Sequence, residues 1–323
     1  MAILSSNGKL LTIGGITVNA KVREIPVIPA YTIRCVFRDG ITPEPKTWKP
    51  FTAVQVSSSP NIWDISNSNS DSWEILLQDQ SDLIEVLNMD PGNITVFGSM
   101  FKNCTSLIRV RNIAVNTSPL TTQYMFQDCT NLESVHYSSV PELRQCRYMF
   151  QRCANLEHSP VISIADNSQG MFENCSSLKD INLIIRPNAS SNFTGMFSYC
   201  TALTDVNITG TFGSSSIIDS MFSRCTVLTN ISLPSLYGVS SARSAFEYCY
   251  GITQIPLYDT STLTDVYCMF MHCPNVESGA LALYNRMVGQ ETPPTSHDYT
   301  FYDCGSNTVT GAAELAQIPA DWK

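Results

Sequence analysis

Nine times along this chain a phenylalanine is followed three residues later by a cysteine, and the spacing of those pairs constrains the fold more than any other feature. The pairs are Phe101-Cys104, Phe126-Cys129, Phe150-Cys153, Phe172-Cys175, Phe197-Cys200, Phe222-Cys225, Phe246-Cys249, Phe270-Cys273 and Phe301-Cys304. Successive cysteines are 25, 24, 22, 25, 25, 24, 24 and 31 residues apart. Methionine precedes the phenylalanine in every unit but two, where Ala245 and Thr300 stand instead. Three residues after the cysteine comes Leu107, Leu132, Leu156, Leu178, Leu203, Leu228, Ile252 or Val276. Three further on lies Val110, Val135, Ile181, Val206, Ile231 or Ile255, and two more bring Tyr137, Leu183, Ile208, Leu233 or Leu257. The last two positions alternate with period two, which predicts a short strand buried on one face. Phe-x-x-Cys-x-x-Leu has period three, which suits a single helical or 3₁₀ turn. Ser, Asn, Thr, Pro and Gly between them are turn formers. A unit of strand, loop and turn cannot bury its apolar edge alone, so neighbours must stack into a solenoid. At ~4.8 Å per parallel strand the nine units span roughly 40 Å. The motif phenylalanines share one phase, so they should stack inside, with the Met-Phe pairs as core rather than as an adaptable groove.

The grammar changes near residue 83, which predicts two parts. Residues 1–82 form a small β-rich N-terminal module. GKLLTIGGITVNAKV reads as two short strands around Gly14-Gly15, and AYTIRCVF as another. Pro43, Pro45 and Pro50 mark an extended loop, and Trp48, Trp63 and Trp73 fall in this part. Residues 83–323 form the solenoid. Asp82-Leu83 to Val86-Leu87 reads as an earlier strand without its cysteine, the first rung of an N-terminal cap. The long last step, ALALYNRMVGQETPPTSHDYT, is expected to be a surface excursion, and residues 305–323 a C-terminal cap with Trp322 as its plug.

Units such as Ala245-Phe246-x-x-Cys249-x-x-Ile252-x-x-Ile255-x-Leu257 resemble the BspA-like, Treponema-type leucine-rich repeat. The Met-Phe-x-x-Cys-x-x-Leu form is similar to its bacterial surface-protein variant, found in Mycoplasma, Listeria, gut Bacteroidetes and their phages. The likeness spans roughly residues 83–310. It implies a right-handed leucine-rich-repeat solenoid, mainly β with short helical turns and a face lined by strands. It also implies an adhesin or surface-recognition role and no catalytic residues. The opening residues loosely resemble the start of phage tail-appendage proteins.

Composition narrows the partners. The chain is 43% hydrophobic and only 15% charged, with net charge −9. No Lys/Arg run exceeds two residues, which argues against nucleic acid and anionic membranes. No apolar stretch approaches a membrane span of ~18 residues, and MAILSSNGKLLTIGG has no signal-peptide pattern. The expectation is a chain made in a cytoplasm and not exported by a signal of its own. In that compartment an odd ladder of nine cysteines reads as buried, reduced thiols. Cys35, Cys146 and Cys268 lie outside the ladder. Cys146 with Cys153, or Cys268 with His272 and Cys273, are weak alternatives as metal ligands, because no C-x-x-C pair exists. No cofactor is expected.

Neither the four histidines (His136, His158, His272 and His297) nor any glycine-rich loop sits in a catalytic motif. The repeat-related pair Asp180 and Asp205 makes glycoside hydrolysis the least implausible chemistry. The best candidates for binding are strand positions that point away from the core: Arg109, Arg111, His136, Asn182, Asn207 and Ser232. Polar side chains at rung spacing suit an extended carbohydrate or a protein surface. The first functional reading is a non-enzymatic bacteriophage virion appendage, of head or tail. Its N-terminal module docks to other virion proteins, its solenoid faces a host glycan or protein, and it assembles as a homo-oligomer. A bacterial cell-surface adhesin is the alternative, and a polysaccharide-acting enzyme comes third.

Overall fold

The computed structural model describes residues 11–13, 16–18, 28–44, 51–66, 72–115, 120–186 and 191–323. Its strands are β1 (Leu11–Ile13), β2 (Ile16–Val18), β3 (Thr32–Phe37), β4 (Thr52–Ser58), β5 (Asn61–Ser66), β6 (Leu83–Asp90), β7 (Arg109–Ile113), β8 (Leu120–Thr121), β9 (Ser134–Tyr137), β10 (Glu142–Gln145), β11 (Ile162–Asn167), β12 (Asp180–Ile185), β13 (Asp205–Gly210), β14 (Ser216–Ile217), β15 (Asn230–Ser232) and β16 (Val239–Ser241). Two short helices follow, α1 (Ala280–Val288) and α2 (Val309–Gln317). This is a mainly β solenoid of stacked coils. β8-β10-β11-β12-β13-β15 form one parallel sheet, β6-β7-β9 continue another in parallel, and β14-β16 are a short parallel pair.

The period-three segment is made of successive i→i+3 turns, as that spacing requires, but it is not a regular helix. In the coil of Phe101, Met100, Lys102, Cys104 and Leu107 donate their amides within the coil, to Phe97, Ser99, Phe101 and Cys104. The alternate amides of Ser99, Phe101 and Asn103 donate to Gln123, Met125 and Gln127 of the next coil, at 2.8–2.9 Å. Ser99 and Asn103 are left-handed, with φ of 55° and 61°, and the equivalent residues are left-handed in every later coil. A left-handed residue reverses the local twist, so the chain cannot wind on as a helix, and its amide is free to bond along the stack.

Inside that edge the phenylalanines form one column. Phe101, Phe126, Phe150, Phe172, Phe197, Phe222, Phe246 and Phe270 stack with near-parallel rings, centroids 5.0–5.5 Å apart. Phe301 continues the column at 6.2 Å and Trp322 closes it at 6.5 Å. Each motif cysteine from Cys129 to Cys273 donates its thiol to the carbonyl of the preceding coil's phenylalanine, at 2.9–3.2 Å. That oxygen already accepts the amide three residues on, so the thiol fills its second lone pair. Cysteine suits the position because it is small and apolar and still offers a donor. All twelve cysteines are buried and free. Burial pushes up the pKa values of Cys35 and of the cysteines from Cys129 to Cys304, that of Cys273 to about 12.

Three details differ from the sequence reading. A degenerate coil opens at Ser72, about ten residues before the strand at Leu83. Trp73, Ile75, Leu77 and Asp79 donate to the coil of Phe101 in the repeat pattern, with Leu77 in the place of phenylalanine and Gln80 in that of cysteine. Alignment on Phe-x-x-Cys cannot register it. The long last step is no surface excursion, because α1 buries Ala280, Leu283 and Met287, an apolar stripe at helical spacing. Leu257 points outward, 54% exposed. Pro256 ends strand pairing there, and the ring of Tyr258 lies over Phe246 instead, at 6.5 Å.

The two ends are covered differently. β1 and β2 pair antiparallel, from Leu11↔Val18 to Ile13↔Ile16, and the predicted Gly14-Gly15 turn lies outside the described residues, as do Trp48, Pro45 and Pro50. β3 pairs antiparallel with both β5 and β6, and β4 with β5. β6 thus carries an antiparallel neighbour on one side and the first parallel coil on the other. Ile33, Cys35, Phe37 and Ile65 join the same hydrophobic core as the solenoid. At the other end α2 is capped by Thr308, whose hydroxyl accepts the Gly311 amide at 3.0 Å. Trp322 beyond it stacks on His297 at 4.3 Å and meets Tyr284 edge-on.

Candidate recognition surface

In the parallel strands after each coil's motif leucine, alternate side chains point outward. The register Asp180↔Asp205↔Asn230 and Asn182↔Asn207↔Ser232 sets two outward columns through β12, β13 and β15. Asn182, Asn207 and Ser232 are exposed, and Asn207 donates its side-chain amide to Asn182 at 3.2 Å. Four coils earlier in the same column, counting back from Ser232, stands exposed His136. Arg111 stands one coil before that, because Val110 pairs with Val135. Ser159-Pro160 fills the coil between. Five of the six candidate residues therefore share one column, four residues beyond the motif leucine.

Arg109 occupies the neighbouring column. Both arginines are engaged by Glu85, whose carboxylate is buried on β6. Arg111 grips it with two bonds of 2.5 and 3.1 Å, and Arg109 lies 3.7 Å from it and 3.5 Å from Glu133. A buried carboxylate left alone would carry a large desolvation cost, so these arginines are partly committed to satisfying it. Sequence reasoning missed Glu85, whose coil lacks the Phe-x-x-Cys signature.

The acidic pair behaves as a hydrogen-bonded surface. Asp205 accepts from Thr204 Oγ1 and Asn230 Nδ2, each at 2.6 Å. Those bonds hold its carboxyl below the usual carboxylate range, opposite to what a glycosidase general acid needs. Asp180 is bonded to His158 Nδ1 at 2.6 Å. The alternative metal ligands face different partners. Cys146 points to the Asn167 carbonyl and Cys153 to that of Phe126, while Cys273 bonds Phe246 and His272 bonds Asp303. Among the described residues no three His, Cys, Asp or Glu side chains converge on a metal position. No helix among the described residues is long and apolar enough to cross a membrane.

The turn side carries a second outward row. Two residues after the motif phenylalanine come Asn103, Asp128, Arg152, Asn174, Tyr199, Arg224, Tyr248 and His272. The guanidinium of Arg224 lies between two rings, 5.3 Å from Tyr199 and 4.2 Å from Tyr248. Tyr248 stacks on His272 at 4.8 Å. The signal was present in the repeat alignment, at a position read only as turn.

The family model for the BspA type leucine rich repeat region matches residues 94–214 and 194–321, with six copies, well over half of the chain. No curated protein and no solved structure matches it.

Proposed function

The chain belongs to the BspA-type leucine-rich-repeat family, and from that premise we propose that it is a non-enzymatic recognition protein whose solenoid surface binds a host glycan or protein. Repeats of this type suit a surface adhesin or recognition protein. The observation that carries the reading is the outward column of Arg111, His136, Asn182, Asn207 and Ser232. It sets hydrogen-bonding groups at coil spacing in two sheet-paired sets, Arg111 with His136 and Asn182 with Asn207 and Ser232, on either side of Pro160, which is the preorganisation that binding rewards.

We place the protein on a bacteriophage virion, as a head or tail appendage. Its N-terminal antiparallel strands attach it to other virion proteins and seat a homo-oligomer. What supports the attachment part of this reading is β4, the outermost strand of its sheet, where Val54 and Val56 are 55% and 50% exposed. TAVQVSS has no charge or proline to blunt its edge, and such an edge readily accepts another strand.

The test uses the full chain, fluorescently labelled, on intact bacterial cells, together with antibody labelling of purified virions and of cells. Saturable cell binding and label at one position on virions are expected. Absence of binding would overturn the recognition reading. Label on producing cells and none on virions would overturn the virion placement in favour of the adhesin.

A further inference from the structure

We propose that the turn side of the last coils is a binding platform for a neutral polysaccharide, formed by Tyr199, Tyr250, Tyr299 and Tyr302 around a stacked Arg224–Tyr248–His272 spine. This rests on the recognition reading and gives it a ligand class and a second face.

The first observation is a change of residue type at one fixed backbone position. Two residues after the motif phenylalanine the chain is left-handed in every coil, with φ near 60°. Asn103, Asp128 and Asn174 fill it in the earlier coils and Asp303 in the last, and Asn and Asp tolerate that conformation; Arg152 also stands there, paired to Asp128 of the preceding coil at 2.8 Å. Tyr199, Arg224 and Tyr248 fill it later, where bulky side chains are disfavoured. Their mutual stacking offsets part of that cost.

Stacking among themselves does not account for the remaining rings. Tyr250 follows a motif cysteine, Tyr302 follows a motif phenylalanine, and Tyr299 precedes one by two residues. These three positions are not equivalent in the repeat, yet Tyr250 and Tyr302 each meet the spine and Tyr299 meets Tyr302. Tyr250 stands edge-on to Tyr248, Tyr302 edge-on to His272, and Tyr299 edge-on to Tyr302. Tyr199, Tyr250, Tyr299 and Tyr302 are 44%, 42%, 46% and 43% exposed. More than half of each ring residue is buried, which fixes it, while the outer part faces solvent.

The chemistry of this surface favours sugar. Each exposed ring is a tyrosine, with an apolar face and a polar tip, and the exposed Asp298, Ser306 and Asn307 stand among them. Asp303 and Ser306 beside them, joined at 2.5 Å, add hydrogen-bonding groups. A hexopyranose has the same division, with a C–H face and a hydroxyl rim. The coils repeat at about the length of one such unit, so successive sugars of a chain running along the stack meet successive coils. A protein partner instead calls for an apolar, desolvated centre with a polar rim, and these rings stand among polar groups along an open edge.

The experiment screens the full chain against immobilised neutral glucans, mannans, galactans and xylans, then titrates a hexasaccharide of the best binder by calorimetry. Three variants accompany it: Tyr250→Ala/Tyr302→Ala, Tyr250→Phe/Tyr302→Phe, and the strand-side Asn182→Ala/Asn207→Ala/Ser232→Ala. Each is checked for unchanged melting. The expected result is retention of at least one neutral polysaccharide. The alanine pair should lose about tenfold or more in affinity, the size of one aromatic contact, while the phenylalanine pair loses less, and the strand-side variant, which alters the other proposed recognition face, also loses less than the alanine pair. Retention of no neutral polysaccharide overturns the proposal, even where the chain still binds intact cells, and in that case the recognition reading stands. Equal binding by the alanine pair overturns it too, as does loss confined to the strand-side variant, which returns the contact to the strand face. Capture of a cell-surface protein with no glycan bound overturns the ligand class.

Discussion

On the turn side, each coil from Leu77 to Phe270 donates the same three amides to the next coil. On the strand side, pairing shrinks to single bridges at His158–Asp180 and Gln254–Ser278. Both lapses fall where the coil carries a proline, Pro160 or Pro256, at the position that Arg111, His136, Asn182, Asn207 and Ser232 hold elsewhere. Proline has no amide to give to the ladder. The turn side tolerates no such lapse, because the ring column and the thiol bonds repeat with its amides and any gap would break all three. Regularity is therefore concentrated on the turn side, and length, sequence and pairing vary on the strand side.

The largest expected effect tests that division directly. Phe172→Ala removes a mid-column ring and should cost about 3–5 kcal/mol in urea unfolding. Val206→Ala, at a buried strand position, should cost about 2 kcal/mol. Equal losses would show that the column has no special part in stability. The second test sits at the edge of β13. Gly210 has φ of 103°, and a Cβ there would stand 1.8 Å from the Ile185 carbonyl oxygen. Gly210→Ala should cost about 3 kcal/mol, as backbone must move as well as strain. Gly195→Ala, at φ of 63° with nothing nearer than Ser198 Cβ at 3.9 Å, should cost about 1 kcal/mol from conformation alone.

The thiols sharpen the comparison at smaller scale. Cys200→Ala should cost about 1–2 kcal/mol, through a small void and the lost bond to Phe172. In the native protein the cysteines should react slowly with a thiol reagent and become reactive in denaturant. Native pKa values are raised at Cys35 and from Cys129 to Cys304, so the contribution to stability is whole below the unfolded thiol value of about 8.5. It falls as pH rises from there towards the raised values, because the unfolded chain releases protons that the native core retains. A melting temperature unchanged from pH 7 to pH 11 would contradict this. The smallest expected effect is that of Asn207→Ala, on the exposed strand face, below about 0.5 kcal/mol. A larger loss would mean that the outward asparagines hold the stack together.

Much of the turn side was legible from residue spacing. Phe-x-x-Cys-x-x-Leu identifies the buried column because one phase recurs through every unit. The left-handed positions were not legible, since Asn103, Tyr199 and Arg224 share no side-chain property, only a backbone requirement. The strand side was legible where alternation was clean, as at Ile181 and Leu183. It failed at Leu257, where Pro256 shifts the phase. The strand of the first coil was read at Leu83 to Leu87, but its turn segment escaped notice because Leu77 and Gln80 replace the two marker residues, and the amides that bond it to the next coil recognise backbone rather than side chain. The candidate binding residues were found as outward positions. Their partners were not, because Glu85 lies 24 and 26 residues before the arginines that it holds.

By itself, the sequence determined that this chain stacks coils, how long each coil is, and which residues fill the column. Those follow from periodicity, because a repeated apolar edge can be buried only against its own copies. Trp322 was legible as a plug over the last rung, but tertiary structure alone decided how the ends are built, by antiparallel strands on β6 and by α1 and α2. It also decided which outward groups meet across coils, such as Arg224 between Tyr199 and Tyr248. Contacts of that kind depend on distances between residues some two dozen positions apart, and only the folded stack sets those distances.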